Sequence, residues 1–165
     1  MTHGNLQAFD PTRDLLLERQ FDAPPEVVWR ACTEPDRVKQ WIAPAPWVTV
    51  ECEIDLRPGG MFRFLMKSPD GSEESANLTC YLEVVKEQTL VWTNALAPGY
   101  RPVGSIEHVP LITAIFSFEP SGTGTKYVAR VVHKDEHDRK QHEEMGFYEG
   151  WGTCLDQLVA VTKTM

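Results

Sequence analysis

The sequence predicts an α+β protein in which a curved antiparallel sheet of seven strands is covered by a long C-terminal helix. Three observations predict this class. Seven short segments alternate apolar and polar residues, and six of them follow one another across short turns. Two short helical segments stand after the first strand, and an amphipathic segment ends the sequence. Because such a sheet cannot cover its own inner face, the C-terminal helix is its natural cover.

The N-terminal part predicts one strand followed by two short helices. Residues 1–13 are polar and are interpreted as a flexible arm before a single domain over 14–165. Residues 15–22 form the first strand. The first helix begins at the Pro24-Pro25 pair, since proline is tolerated in a first helical turn. A second, shorter helix begins near Pro35.

The middle of the chain consists of strands. Alternation predicts them over residues 48–54, 62–66, 78–84, 89–93, 112–118 and 126–132. In the third of these segments, Leu78 and Cys80 are predicted to share one face. Gly59 and Gly60 indicate a turn that needs positive φ or a close approach of backbone. Residues 95–109 contain two prolines and two glycines and indicate a long loop.

The C-terminal segment predicts a helix that begins at Asp138, where Gln141 completes a capping-box-like start. One helical line runs through Glu144, Tyr148, Trp151, Leu155, Leu158 and Thr162. Three glycines interrupt this helix: Gly146, Gly150 and Gly152. Each costs about 1 kcal/mol relative to alanine, so we expect close packing against the sheet or a ligand, or a kink.

Charge and composition exclude several classes of protein. With 16 Lys and Arg against 24 Asp and Glu, the net charge is −8, which argues against nucleic-acid binding and against anionic membrane surfaces. No segment approaches the roughly 20 apolar residues of a membrane span, and the N-terminus lacks a secretory pattern. The four cysteines show no C-x-x-C spacing. We therefore expect a reduced, cytoplasmic protein.

A curved sheet wrapped on a single helix leaves a cavity between them. The aromatic residues exceed what one core line needs, so we interpret them as cavity walls that bind a small hydrophobic or aromatic molecule. The predicted ligand-binding residues are Trp41, Phe62, Phe64, Met66, Leu78, Cys80, Trp92, Phe116, Phe118, Tyr148, Trp151 and Leu155.

No catalytic constellation is evident, because the sequence lacks a G-x-S-x-G elbow and an obvious Cys–His pair. The candidates for acid–base chemistry are His142, Tyr148, Glu144 and Arg63. The cluster His133, His137 and His142 leaves three interpretations open: ligand hydrogen bonding or acid–base chemistry, a solvated or capping role, or a metal site completed by Asp135 or Glu144. Without H-E-x-x-H spacing, we assign no metal and no cofactor.

Several segments in order resemble the activator-of-Hsp90-ATPase-homologue-like family of the START/Bet v 1-like (SRPBCC) superfamily. The resemblance covers the chain from about residue 15 onward. It is carried by residues 21–31 (FDAPPEVVWRA), 55–62 (DLRPGGMF), 81–85 (YLEVV), 90–93 (LVWT) and 146–152 (GFYEGWG), with Pro35, Trp41 and residues 155–158 (LDQL). It implies a helix-grip fold, whose members commonly bind lipids, sterols, flavonoids or polyketides.

The leading hypothesis is therefore a binder of a small apolar molecule. The resemblance implies two alternatives, a polyketide cyclase or aromatase-like enzyme and a protein-interaction module related to Hsp90 co-chaperones. Those co-chaperones carry a separate N-terminal domain for which this sequence has no room, so we do not expect Hsp90 as a partner. A homodimer formed through an open sheet edge is a further alternative.

Overall fold

A computed structural model describes residues 8–165. The strands are β1 (Asp14–Phe21), β2 (Val48–Ile54), β3 (Met61–Lys67), β4 (Glu74–Val85), β5 (Thr89–Thr93), β6 (Leu96–Ala97), β7 (Arg101–Pro102), β8 (Thr113–Ser121) and β9 (Gly124–Val132). The helices are α1 (Pro25–Thr33), α2 (Pro35–Val38), α3 (Glu136–Glu144) and α4 (Phe147–Thr162). Among the described residues, no helix has the length and apolar character needed to cross a bilayer.

Seven strands form one antiparallel sheet in the order β1-β9-β8-β5-β4-β3-β2. The predicted fold class is confirmed, with two short helices after β1 and a C-terminal helix across the sheet. The strands β6 and β7 form a small separate hairpin within the predicted long loop. This arrangement leaves β1 and β2 as the two edges.

The predicted N-terminal arm lies only partly within the described residues, since residues 1–7 are outside them. The part that is described bonds to the domain. Arg139 Nε donates to the Thr12 carbonyl oxygen at 2.9 Å, and the Asp10 backbone N–H donates to the Asp14 carboxylate at 2.9 Å.

A β-bulge between Tyr81 and Glu83 changes which residues of β4 face the helix. Thr79 pairs with Phe62, and Tyr81 pairs with Trp92, so these side chains share the inner face. Leu78 and Cys80 therefore lie on the opposite face, where the predicted alternation did not place them. A bulge inserts one residue and reverses the alternation beyond it. No residue type in this strand indicates that a bulge is present.

The turn before β3 has the backbone that the glycine pair predicts. Gly59 has a φ of 81°, and a Cβ on Gly60 would overlap the carbonyl oxygen of Asp55. The turn is tied to β4, since the Gly59 N–H donates to the Tyr81 oxygen at 2.7 Å.

The C-terminal helical segment is broken into α3 and α4 at Gly146, whose φ of 96° lies in the left-handed region. Of the two alternatives for the glycines in this segment, close packing or a kink, Gly146 therefore forms a kink. The predicted start at Asp138 is wrong: the cap is Asp135, whose carboxylate accepts the Asp138 N–H at 2.9 Å. Because α4 begins after the kink, its buried face is centred on Phe147, and Tyr148 is 43% exposed.

The core lies between α4 and the inner face of the sheet. Leu155 and Leu158 of α4 are buried there against aromatic side chains of the strands. The first helix closes one end, where Trp29 packs edge-on against Phe118 with ring centroids 5.3 Å apart. The Trp41 indole N–H donates to the Ala31 oxygen at 2.8 Å and fixes the segment after α2.

Candidate functional site

A cavity of about 340 Å³ lies between the sheet and the C-terminal helices. This volume falls within the range of roughly 300–1,000 Å³ that is typical of small-molecule sites. Strands β3, β4, β5, β8 and β9 form its floor, α3 and α4 form its roof, and the loop after β7 borders its mouth.

Eight of the twelve predicted ligand-binding residues line this cavity. They are Trp41, Phe64, Met66, Leu78, Trp92, Phe116, Trp151 and Leu155. Leu78 lies at the rim, since its register partner is Arg63 and it is 46% exposed.

The other four predicted residues lie elsewhere. Phe62 is in the layer beside the cavity, stacked on Tyr81 with centroids 5.6 Å apart. Phe118 packs on Trp29 in the distal core, Cys80 is on the opposite face of β4, and Tyr148 is exposed on α4.

The structure adds lining residues that the sequence reasoning missed. The loop after β7 contributes Ile106, Val109, Pro110 and Ile112. The apolar residues of this loop were a usable signal, because they interrupt an otherwise polar segment. Asn77, Tyr127 and Gly150 carry no such signal, since their place in the wall depends on strand register and on the kink at Gly146.

Aromatic rings in contact with one another form much of the wall. Trp92 stacks on Trp151 with centroids 6.4 Å apart and an interplanar angle of 14°. Phe116 packs edge-on against Trp92 at 6.0 Å. Such rings present flat apolar surfaces, which suit a flat apolar ligand.

The wall carries no formal charge, because none of the described residues that line it is Asp, Glu, Lys or Arg. Its polar side chains are largely occupied by backbone. Asn94 donates to the Pro110 oxygen at 3.2 Å and accepts the Ile112 N–H at 2.7 Å. Thr79 donates to the Phe62 oxygen at 2.8 Å.

Cys154 lines the cavity, but its environment keeps it a thiol. Its Sγ donates to the Ile42 oxygen at 3.2 Å, and burial raises its pKa to about 12. Since the thiolate is the nucleophilic form, Cys154 is not an activated nucleophile at neutral pH.

Two histidines of the predicted cluster meet beside the cavity. His133 Nε2 lies 2.9 Å from His142 Nδ1, and His133 Nδ1 lies 2.9 Å from the Arg13 carbonyl oxygen. Burial lowers the pKa of both imidazoles, that of His142 to about 4. His137 is exposed on α3. The described residues contain no group of three or more His, Cys, Asp or Glu side chains arranged for a metal.

Among the acid–base candidates, His142 is the one that lines the cavity. Arg63 lies on the outer side of the sheet, where it pairs with Glu51 at 2.9 Å and Glu53 at 3.6 Å. Glu144 and Tyr148 are exposed.

Buried polar atoms without a partner among the described residues include the hydroxyls of Tyr127 and Tyr81 and the indole N–H of Trp92. A buried hydroxyl that forms no hydrogen bond carries a desolvation penalty of about 1–3 kcal/mol.

We therefore expect Tyr127→Phe and Tyr81→Phe to leave the free energy of unfolding unchanged or to raise it by about 1 kcal/mol. Urea denaturation followed by circular dichroism measures this change. Thr79→Val is the matched control of opposite sign, because it removes the hydrogen bond to Phe62 and lowers stability by about 1 kcal/mol. A clear loss of stability in Tyr127→Phe contradicts the expectation and indicates a bonded hydroxyl.

Comparison with known proteins decides the family. The family model described as "Activator of Hsp90 ATPase homolog 1-like protein" matches residues 22–163. The chain belongs to this family. The predicted resemblance is thus confirmed, and with it the helix-grip fold of the START/Bet v 1-like superfamily. A comparison of the sequence with curated proteins found no match.

Solved structures share this fold along nearly the whole chain. A Nitrosomonas europaea protein is 44% identical, with a TM-score of 0.87 over 94% of this chain and 97% of its own. An Arthrobacter aurescens protein is 19% identical, with a TM-score of 0.81 over 99% and 94%. An AHSA1-like protein of Aeromonas hydrophila is 20% identical, with a TM-score of 0.69 over 92% of each chain.

Proposed function

We propose that this family member binds a small, neutral, largely aromatic molecule in the cavity between the sheet and α4. The observation that carries the proposal is an apolar cavity of about 340 Å³ whose lining includes no charged residue among those described. An apolar cavity of about 150 Å³ accommodates benzene, so this volume suits a molecule of two fused rings.

The absence of charge from the wall selects neutral ligands. Burying an ionised carboxylate or ammonium without a partner costs several kcal/mol. Arg63, a cation of the neighbouring strand, is held on the outer side by Glu51 and Glu53. A carboxylate in the cavity therefore finds no counter-ion among residues 8–165.

Binding is tested by titrating the protein with naphthalene and with 2-naphthoate. Met66 and Met145 both line the cavity, so ¹³C-labelled methionine methyl groups report occupancy by NMR. We expect naphthalene to shift both methyl signals and 2-naphthoate to bind at least tenfold more weakly. If neither compound shifts these signals at its solubility limit, the proposed function is wrong.

A substitution at Gly150 is expected to block the site without unfolding the protein. A Cβ at Gly150 meets nothing within 4 Å, and the residue lines the cavity on α4. Gly150→Leu therefore occupies ligand space and should weaken naphthalene binding at least tenfold in the same NMR titration.

Gly150→Ala is its matched control. It should keep the affinity and raise the free energy of unfolding by about 1 kcal/mol, because alanine favours the helix. Unchanged affinity in Gly150→Leu would place the ligand outside this cavity.

Acid–base catalysis on a bound ligand is a second candidate, favoured by the position of His142 in the wall. A general base in contact with a substrate removes a proton from carbon next to a carbonyl. The test is exchange of the α-hydrogens of 2-tetralone in D₂O, followed by NMR. Catalysis requires that the protein accelerate the exchange and that His142→Phe abolish the acceleration; an unchanged exchange rate rules it out for this class of ketone.

A further inference from the structure

We propose that His133 and His142 form a fixed hydrogen-bond relay that makes the cavity select ligands with an O–H or N–H donor. The inference rests on the proposed function and names the ligand chemistry of the same site. It predicts a neutral two-ring molecule that carries a hydroxyl or amine hydrogen, such as a phenol.

The direction of the relay follows from its first member. The Arg13 carbonyl oxygen can only accept, so the hydrogen of the 2.9 Å contact is on His133 Nδ1. A neutral imidazole with hydrogen on Nδ1 has Nε2 as an acceptor. The 2.9 Å contact between His133 Nε2 and His142 Nδ1 therefore takes its hydrogen from His142.

The second member then has one free acceptor. With its hydrogen on Nδ1, His142 has an unprotonated Nε2, and no described residue forms a hydrogen bond with that atom. The ring lines the cavity and packs edge-on against Phe147 and Trp151, with centroids 5.1 and 6.3 Å away. His142 thus presents an acceptor to whatever occupies the cavity.

Hydrogen bonds to backbone hold the first ring of the relay in place. The Arg13 oxygen also accepts the His133 backbone N–H at 3.0 Å, so the residue after β9 and the residue before β1 are joined by two hydrogen bonds. The next residue, Asp14, is 4% exposed and pairs with Arg130 at 2.9 Å. The charged groups acting on His133 are Asp138, Asp14 and Arg139, and His133 is the group acting on His142.

Several polar side chains of the described wall are already bonded to backbone. Thr79, Asn94 and Cys154 direct their hydrogens to backbone carbonyls. Asn77 Nδ2 donates to the Ser75 oxygen at 3.1 Å. The side-chain oxygen of Asn77 is therefore a second acceptor in the described wall, since no described hydrogen bond reaches it.

Two donors of the described wall, the Trp92 indole N–H and the Tyr127 hydroxyl, have no partner among the described residues. Both can bond to an oxygen of a ligand, whether that oxygen belongs to a hydroxyl or to an ether. Only a ligand that itself carries an O–H or N–H can also bond to His142 Nε2. One such hydrogen bond contributes about 0.5–1.5 kcal/mol, which corresponds to a preference of up to about tenfold.

The test compares 2-naphthol with 2-methoxynaphthalene, which keeps the oxygen and lacks the hydrogen. We expect the wild-type protein to bind 2-naphthol five- to tenfold more tightly, by ¹³C-methionine NMR. His142→Phe should bind both compounds equally, whereas His137→Phe, an exposed histidine on the same helical segment, should keep the wild-type preference. Equal affinities in the wild-type protein, or a preference that survives His142→Phe, overturn the inference.

The outcome is separable from that of the proposed function. If neither naphthalene compound binds, the proposed function fails; if both bind equally, only the relay fails. A second measurement needs no variant. In ¹⁵N-imidazole NMR of the wild-type protein at pH 7, we expect both His133 and His142 to carry hydrogen on Nδ1, and hydrogen on His142 Nε2 would refute the relay.

Discussion

Replacing Gly60 by alanine is expected to lower the free energy of unfolding by about 3 kcal/mol, because the new methyl group has no room. Its Cβ would overlap the carbonyl oxygen of Asp55 and lie 2.9 Å from that of Arg57. Both are backbone atoms, and the turn cannot move aside easily. The Gly60 N–H donates to the Arg57 oxygen at 2.8 Å, and the Gly60 oxygen accepts the Tyr81 N–H at 3.0 Å.

Urea denaturation followed by circular dichroism measures this loss. Gly104→Ala is the matched control, since a Cβ there meets nothing within 4 Å and no positive φ is involved. We expect that variant to stay within about 0.5 kcal/mol of the wild-type protein. Equal effects in the two variants would mean that the turn adjusts and that the close approach does not constrain it.

The turn at Gly60 is also a place where the sequence was sufficient. Glycine pairs, prolines and alternation are local signals, and they predicted the seven strands of the main sheet, the turn before β3 and the helical cover. Of the eight predicted residues that line the cavity, Phe64, Met66, Trp92 and Phe116 follow from the same alternation, since they lie in strands β3, β5 and β8 with their side chains on the inner face.

The errors arise where one residue changes the phase of a pattern. The bulge in β4 moves Leu78 and Cys80 to the other face, and a second bulge in β2 buries Thr49 and exposes Val50. The left-handed backbone at Gly146 likewise turns α4 so that Phe147, not Tyr148, faces the core. Periodicity cannot detect an insertion that leaves the composition unchanged.

The histidine pair required the tertiary structure. His142 follows His133 by nine positions, and the cap of α3 and about two helical turns lie between them. The sequence left metal binding, ligand contact and solvation open. Only the packing of α3 and α4 on each other and against β1 shows that two rings meet and that the third, His137, does not join them.

The same pair should dominate the pH dependence of stability. An unfolded histidine has a pKa near 6.5, and burial lowers that of His142 to about 4 and also lowers that of His133. Between pH 6.5 and pH 4, His142 binds a proton in the unfolded chain and remains unprotonated in the folded protein. Stability is therefore complete above pH 6.5 and is lost as the pH falls toward 4.

For His142 alone, we expect a loss of about 2–3 kcal/mol between pH 7 and pH 4.5, at about 1.4 kcal/mol per pKa unit. Carboxylates such as Asp10 and Asp70, whose pKa values are lowered to about 2 by hydrogen bonds, contribute only below pH 4. The window from pH 7 to 4.5 thus isolates the histidines. Urea denaturation across it should show a steep slope for the wild-type protein.

His142→Phe should remove most of that slope, because the titrating group is gone and an aromatic ring still fills the space beside Phe147. His137→Phe should keep the slope, since that side chain is exposed in the folded protein. The comparison also bears on ligand binding. A protonated His142 carries hydrogen on both nitrogens and can no longer accept. Because the pKa of His142 in the folded protein is about 4, the preference for 2-naphthol should persist down to pH 4.5 and weaken only as the pH falls to 4 and below. A slope that persists in His142→Phe would assign the pH dependence to other groups and remove the support that burial gives to the neutral relay.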